Sequence, residues 1–235
     1  MRGGQGVSEP GTSIAPSEQG QHDGDKPEAF LVPRWALELL RVALRTLFRL
    51  FWRMRYVGTE HIPQGGSLII AANHQTYIDP FWLSVPIKRP MRYLAWDVSF
   101  DWPVVGRVMR WLGAWPLQIE RGDPRAIRRS LQWLRTGGAL VIFPEGGRSH
   151  PDGEMHKFKA GAARIALEAD AHILPVTIRG GQKVWPRGRR WPRLIGRVEI
   201  IYHPPRQLQM LPGEDARACA RRETEDLARI IGAAL

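Results

Sequence analysis

Asn73-His74-Gln75-Thr76-Tyr77-Ile78-Asp79-Pro80 sets an imidazole and a carboxylate five positions apart, directly after the apolar run Leu68-Ile69-Ile70-Ala71-Ala72. This pair of residue types suits general base chemistry. The carboxylate accepts the imidazole Nδ1–H, fixes the tautomer and leaves Nε2 free to take a proton. The spacing imposes a condition, because in a continuous helix residues five apart lie about 140° around the axis from each other. His74 and Asp79 meet only if the chain turns between them, with His74 in a loop and Asp79 in the first turn of a helix. The apolar run reads as a buried strand, so the pair is expected at a strand-to-helix corner, where open α/β sheets bind their ligands. A capping Asn beside an ordinary surface His accounts for these eight residues equally well.

Phe143-Pro144-Glu145-Gly146-Gly147-Arg148-Ser149 follows a second apolar run, Ala139-Leu140-Val141-Ile142. Glycines beside Arg148 let the backbone approach a ligand, and the arginine offers a planar fork suited to phosphate. Glu145 is placed to accept a hydrogen bond from a bound hydroxyl or to organise the arginines. Taken alone, a Pro-Glu-Gly-Gly segment reads as a turn. No cysteine lies near either stretch, and Ser149 is the one nearby hydroxyl that can form a covalent intermediate.

Positioning two such corners calls for alternating strands and helices. Strands are predicted at 68–72, 91–96, 115–119, 139–143, 173–178 and 197–202, and helices at 81–87, 104–112, 158–169 and 215–231. Asp123-Pro124 is a helix start, with an N-cap aspartate and proline at the first helical position, and Ile127, Leu131 and Leu134 give that helix an apolar face. Lys159 reads as readily into solvent as into a site. The fold class is α/β: one domain with a mostly parallel or mixed central sheet flanked by helices, preceded by an amphipathic helix.

That helix lies within residues 29–55, between a tail at 1–28 and the domain at 56–235. The tail is rich in Gly, Ser, Pro and Gln, a composition that predicts disorder. At 100° per residue, Arg34, Glu38, Arg41, Arg45 and Arg49 fall within about 80° of one another, with Ala36, Leu40, Ala43, Leu47, Leu50 and Met54 opposite. A basic stripe on a broadly apolar helix suits the membrane interface, and a surface helix packed on its own domain is the alternative reading. The 235 residues carry 34 Lys and Arg against 23 Asp and Glu, a formal charge of +11 that favours a polyanionic partner. Cys219 is the only cysteine, so no internal disulfide is possible and a reducing compartment is expected. No Cys/His cluster points to a metal. No leader-like apolar core opens the chain and no apolar run has membrane-spanning length. The expectation is a peripheral protein on the cytoplasmic face of the cell membrane.

Asn-His-x4-Asp followed about seventy residues later by Phe-Pro-Glu-Gly-x-Arg-Ser resembles the glycerolipid acyltransferase family typified by bacterial 1-acylglycerol-3-phosphate acyltransferase. Trp115-Pro-Leu-Gln-Ile-Glu-Arg121 and Ile173-Leu-Pro-Val-Thr-Ile178 resemble two weaker blocks of that family. The resemblance implies transfer of a fatty acyl group from acyl-CoA or acyl-carrier protein to a lysolipid hydroxyl in phospholipid synthesis, with no cofactor and no metal. It assigns His74 as base and Asp79 as its orienting partner, and puts Arg121, Glu145, Gly146 and Arg148 in the acceptor site, with Lys159 as a further candidate. Two departures stand out. The family usually has Thr where this chain has Gly147, and often a Lys where this chain has Trp96. The missing lysine would serve an anionic headgroup, so it bears on which lysolipid is the acceptor.

Two other classes of function fit parts of the sequence. The basic, tryptophan-bearing segment 183–193 suits phospholipid headgroups, the phosphates of a thioester donor, or single-stranded nucleic acid. The nucleic-acid reading leaves both corners unexplained. A thioesterase-like hydrolase would use the same corners with water replacing the lipid hydroxyl.

Overall fold

The computed structural model describes residues 34–118 and 122–235. The predicted tail at 1–28 lies outside them. Seven strands form one sheet in the order β1-β7-β6-β2-β5-β3-β4. The strands are β1 (Arg55–Val57), β2 (Leu68–Ala72), β3 (Met91–Trp96), β4 (Ala114–Leu117), β5 (Ala139–Ile142), β6 (His172–Arg179) and β7 (Glu199–Tyr202). β6, β2, β5, β3 and β4 run parallel, while β7 pairs antiparallel with β6 and carries β1 alongside it. β2 lies at the centre of the sheet and every one of its residues is buried, as its unbroken apolar run requires of a strand covered on both faces.

The helices are α1 (Arg34–Trp52), α2 (Asp79–Ser84), α3 (Val105–Trp111), α4 (Pro124–Arg135), α5 (Gly161–Ala169), α6 (Gly181–Val184) and α7 (Ala216–Gly232). Side chains alternate across the sheet with period two. Leu68, Ile70 and Ala72 join Trp82, Leu83 and Ile87 in one core, which Phe48 and Trp52 of α1 close. Ile69 and Ala71 point the other way, to Leu131 and Leu134 of α4, Ile165 of α5 and Leu227 and Ile231 of α7.

Several expectations shift by a few residues, each for a local reason. Asp123 caps α4 as predicted, its carboxylate accepting from the N–H groups of Arg125 and Ala126 at 3.0 Å each. Ile127, however, is exposed, and the buried stripe runs through Ala126, Ser130, Leu131 and Leu134. α5 starts at Gly161 rather than 158 because the Lys159 N–H bonds the Pro144 carbonyl at 2.8 Å, drawing that segment toward the loop after β5. Of the tryptophans with a possible interfacial role, Trp102, Trp111 and Trp191 are exposed. Trp115 is a core residue, flanked by Trp133 and the buried Arg92.

α1 has three faces rather than two. Leu44, Phe48, Phe51 and Trp52 pack on the domain, with Trp52 edge-on to Trp82 at 5.4 Å. Trp35, Leu39, Val42, Leu47 and Leu50 are exposed on the roughly opposite side. Arg41 pairs with Glu38 on the basic stripe, whereas Arg45 and Arg49 have no ion pair among the described residues. No described helix is long and apolar enough to cross a membrane.

Asn73 extends the β2–β6 pairing by one side chain. Its Nδ2 donates to the Ile178 carbonyl at 2.9 Å, and its Oδ1 accepts from the Ile178 N–H at 2.7 Å, all of it buried. Asn73→Ala strands both backbone groups. It is expected to cost roughly 2–5 kcal/mol of unfolding free energy, read from urea denaturation at unchanged m-value.

Candidate active site

β2 and β5 are hydrogen-bonded neighbours with Ala71 opposite Ile142, so the segments following them emerge side by side although far apart in the chain. Both corners therefore lie at the carboxyl edge of the parallel strands. His74 sits in the first loop and Asp79 opens α2, the turn that their spacing requires.

His74 Nδ1 lies 2.9 Å from Asp79 Oδ2. The same oxygen accepts from the backbone N–H groups of Gln75 at 2.5 Å and Thr76 at 2.7 Å, and Oδ1 accepts from the Thr76 hydroxyl at 2.6 Å. Every group hydrogen-bonded to this fully buried carboxylate is placed as a donor, an arrangement that holds the imidazole with Nδ1–H toward it and Nε2 outward. The His74 side chain is 18% exposed and lies over the Phe143 ring at 4.2 Å, so one face of the imidazole is dry while an edge remains reachable.

Glu145, expected in the acceptor site, is buried with its carboxylate engaged by the protein. Oε1 accepts from the His74 N–H at 2.7 Å and the Ser149 hydroxyl at 2.9 Å, and Oε2 from the His156 N–H at 2.7 Å. Burial pushes its pKa up, opposed by the hydrogen bonds from His74, His156 and Ser149. A return bond from the Ser149 N–H to the His74 carbonyl, 2.6 Å long, completes the clasp between the corners. Ser149 is thus buried and committed to Glu145, which argues against a covalent intermediate on its hydroxyl.

Gly146 has φ 70°, the left-handed conformation that turns the chain toward Arg148 and that side chains with a Cβ rarely adopt. A Cβ at the next residue, Gly147, meets nothing within 4 Å, so the missing side chain of the family's threonine leaves open space beside the backbone. Arg148 has no ion pair among the described residues and stacks on Tyr77, its guanidinium carbon 3.9 Å from the ring centroid. The Lys159 side chain is exposed, while its backbone is tied to Pro144. Arg121 lies outside the described residues. Among the described residues, no group of three or more His, Cys, Asp or Glu is placed to hold a metal ion.

Two participants escape sequence reasoning. Gln75 Oε1 accepts from the N–H groups of Gly181 at 2.7 Å and Gln182 at 3.4 Å, tying the first corner to α6 and the basic segment beyond it. Tyr77 packs edge-to-face against Trp102 at 6.2 Å and Trp185 at 5.6 Å. The one hint in the sequence is an aromatic residue in a short loop between His74 and Asp79.

The family model described as Acyltransferase matches residues 53–179. The chloroplastic 1-acyl-sn-glycerol-3-phosphate acyltransferase LPAT1 of Arabidopsis thaliana is 29% identical over 160 residues, 66% of this chain and 44% of that protein. The 1-acyl-sn-glycerol-3-phosphate acyltransferase of Pseudomonas aeruginosa is 29% identical over 202 residues, covering 81% of this chain and 71% of that one. The crystal structure of PlsC, the 1-acyl-sn-glycerophosphate acyltransferase of Thermotoga maritima, superposes with a TM-score of 0.65 at 27% identity, covering 85% of this chain and 78% of that one. The match spans less than half the length of the plant and algal relatives.

If Glu145 clasps the two corners, Glu145→Ala leaves the partly buried His74 and His156 N–H groups without acceptors. The variant is expected to lose roughly 2–4 kcal/mol of stability, with faster amide hydrogen exchange at residues 74 and 156 than at the core strands.

Proposed function

This chain belongs to the acyltransferase family, and from that premise we propose that it moves a fatty acyl group from an acyl thioester to the free hydroxyl of a lysolipid, with 1-acylglycerol-3-phosphate the leading acceptor, in phospholipid biosynthesis. The observation that carries this reading is the 2.9 Å contact between His74 Nδ1 and the buried, donor-saturated Asp79. A hydroxyl is a poor nucleophile until a base takes its proton. His74 Nε2 removes that proton as the oxygen attacks the thioester carbonyl carbon. Asp79 stabilises the imidazolium without accepting a proton itself. The tetrahedral intermediate then collapses, the C–S bond breaks, and the proton on Nε2 passes to the departing sulfur to give the free thiol. A thiol with a reference pKa near 8.5 leaves without a dedicated acid, so one His–Asp pair suffices. With Ser149 committed to Glu145, transfer is direct, in a ternary complex of enzyme, thioester and acceptor.

The donor is acyl-CoA or acyl-carrier protein, and the exposed arginines of segment 183–193 suit the phosphates of either. Trp96 in place of the family lysine supports a second reading, in which the same chemistry serves a different lysolipid. Arg148 supplies the positive charge for a phosphorylated acceptor in both readings, with Arg121 a further candidate.

The site of action in this reading is the cytoplasmic face of the membrane. The exposed apolar face of α1 offers Trp35, Leu39, Val42, Leu47 and Leu50 to a bilayer. Beside it, Arg45, Arg49, Met54, Arg55 and Tyr56 line a cleft of about 210 Å³ suited to an anionic headgroup.

Two measurements check this. The first incubates purified protein with a panel of lysolipids and a labelled thioester, where His74→Ala is expected to lower the rate of ester formation by about 10²- to 10⁴-fold. Ester formation no faster than in the variant, for every acceptor, removes the acyl-transfer reading, and free fatty acid as the sole product replaces it with hydrolysis. The second is vesicle sedimentation. Each arginine near an anionic surface contributes about 1 kcal/mol, so Arg45→Ala with Arg49→Ala is expected to weaken binding to phosphatidylglycerol-containing vesicles by roughly thirtyfold. Binding to neutral vesicles should change little, and an unchanged affinity for the anionic ones counts against the interfacial helix.

A further inference from the structure

We propose that Tyr77 is a positioning residue for acceptor recognition: its ring holds the Arg148 guanidinium by one face, leaving the N–H edge directed to the phosphomonoester of a lysolipid. The inference rests on the acyl-transfer reading and specifies how the acceptor's charge is recognised.

Three observations carry it. Arg148 is partly buried and has no ion pair among the described residues, and the two buried carboxylates of the corners, Asp79 and Glu145, are already taken by other donors. A guanidinium in that position has its N–H groups available for an incoming anion. Second, its carbon lies 3.9 Å from the Tyr77 centroid, the contact of a cation resting on an aromatic face. A stacked guanidinium keeps its donors in the plane of the fork, where bidentate hydrogen bonds to phosphate form. Third, Tyr77 is itself held from two sides, edge-to-face with Trp102 at 6.2 Å and Trp185 at 5.6 Å, on segments that follow β3 and β6. The three rings thus form a platform beneath one cation.

The platform stands in the loop that carries His74, three residues further on, so the recognised anion and the base are set by the same short segment. The ring rather than the phenol does the work, since the Tyr77 hydroxyl has no hydrogen bond among the described residues. Tyr77 is also 48% exposed, so removing it leaves the core intact. With Trp96 in the family lysine's place, the orientation of Arg148 carries more of the recognition.

The test uses the full chain with one labelled thioester and two acceptors of equal acyl length, 1-acylglycerol-3-phosphate and the phosphate-free 1-acylglycerol. Tyr77→Leu is expected to raise KM for the phosphorylated acceptor about five- to tenfold, with the thioester KM and the rate on 1-acylglycerol unchanged. Tyr77→Phe keeps the ring and should restore the wild-type KM. In an Arg148→Ala background, Tyr77→Leu should add less than about a twofold further loss, because the partner through which it acts is gone. Urea midpoints within error of wild type confirm that the single variants are folded. The inference is overturned if the two losses multiply independently, if both acceptors suffer alike, or if Tyr77→Phe fails to restore binding. Should the wild-type chain acylate neither acceptor, 1-acylglycerol-3-phosphate falls as the acceptor and takes this inference with it, while the panel of other lysolipids decides acyl transfer itself; normal acylation with independent losses removes this inference alone.

Discussion

The Glu145 carboxylate holds together two pieces of chain that have no covalent reason to stay in contact. β2 and β5 bring the two corners side by side, but strand pairing ends at Ala71 and Ile142, before either corner begins. Beyond that point the His74 and His156 N–H groups have no ladder partner and are partly withdrawn from water. A buried N–H without an acceptor costs about 1–3 kcal/mol, and the Glu145 side chain satisfies both together with the Ser149 hydroxyl. Desolvation works against this arrangement, which is why burial pushes the Glu145 pKa up. The donors around it work in the opposite direction. A hydrocarbon at this position would fill the space and leave the amides stranded.

Asp79 and Glu145 solve the same problem with different outcomes. Both are buried carboxylates surrounded by donors from backbone and hydroxyl groups. Asp79 spends one contact on a side chain able to carry a proton, and Glu145 spends all of its contacts on structure. The chemistry proposed for His74 requires both. Asp79 fixes which ring nitrogen faces outward, and Glu145 fixes where the His74 backbone stands. Phe143, the last apolar residue before the second corner, covers one imidazole face and so links the two strands a second time.

Much of this was legible in the sequence. The bounds of β2 and β3, the loop-then-helix arrangement of His74 and Asp79, and the cap at Asp123 follow from apolar runs and capping chemistry, all of which act over a few residues. What was hidden depends on contacts between distant segments. Glu145 accepts from residues 71 and 11 positions away, so nothing near it in the chain distinguishes a clasp from a substrate ligand. Tyr77 acquires its role only when Arg148, Trp102 and Trp185 arrive from three other segments. β1 and α6 escaped because three or four residues are too few to establish a period. Periodicity identified α1 as apolar on one side, but it cannot separate a face that meets the domain from one that meets something else. Phe48 and Trp52, which pack, lie toward the basic stripe rather than on the predicted apolar side, whose Leu47 and Leu50 are exposed.

That division bears on how the chain would act on a lipid in the proposed reaction. In the proposed reaction the acceptor's hydroxyl and charge would have to reach His74 and Arg148, while its acyl chain has reason to remain in hydrocarbon. The strand ends show how both can hold. Arg55, at the start of β1, is paired in register with Glu199, which also pairs with Arg179 at the end of β6. Because β6 runs parallel to β2, the end of α1 enters the sheet at the same edge from which His74 emerges. Trp52 reinforces this geometry: its indole N–H donates to the Arg193 carbonyl at 2.8 Å and its ring meets Trp82 in α2, the helix that Asp79 opens. A helix whose outer face is apolar is therefore braced against the element that carries the proposed orienting carboxylate. If that face settles on a bilayer, the corner is held at the surface from which the acceptor's headgroup projects, and the lipid has only to present that headgroup without leaving the membrane.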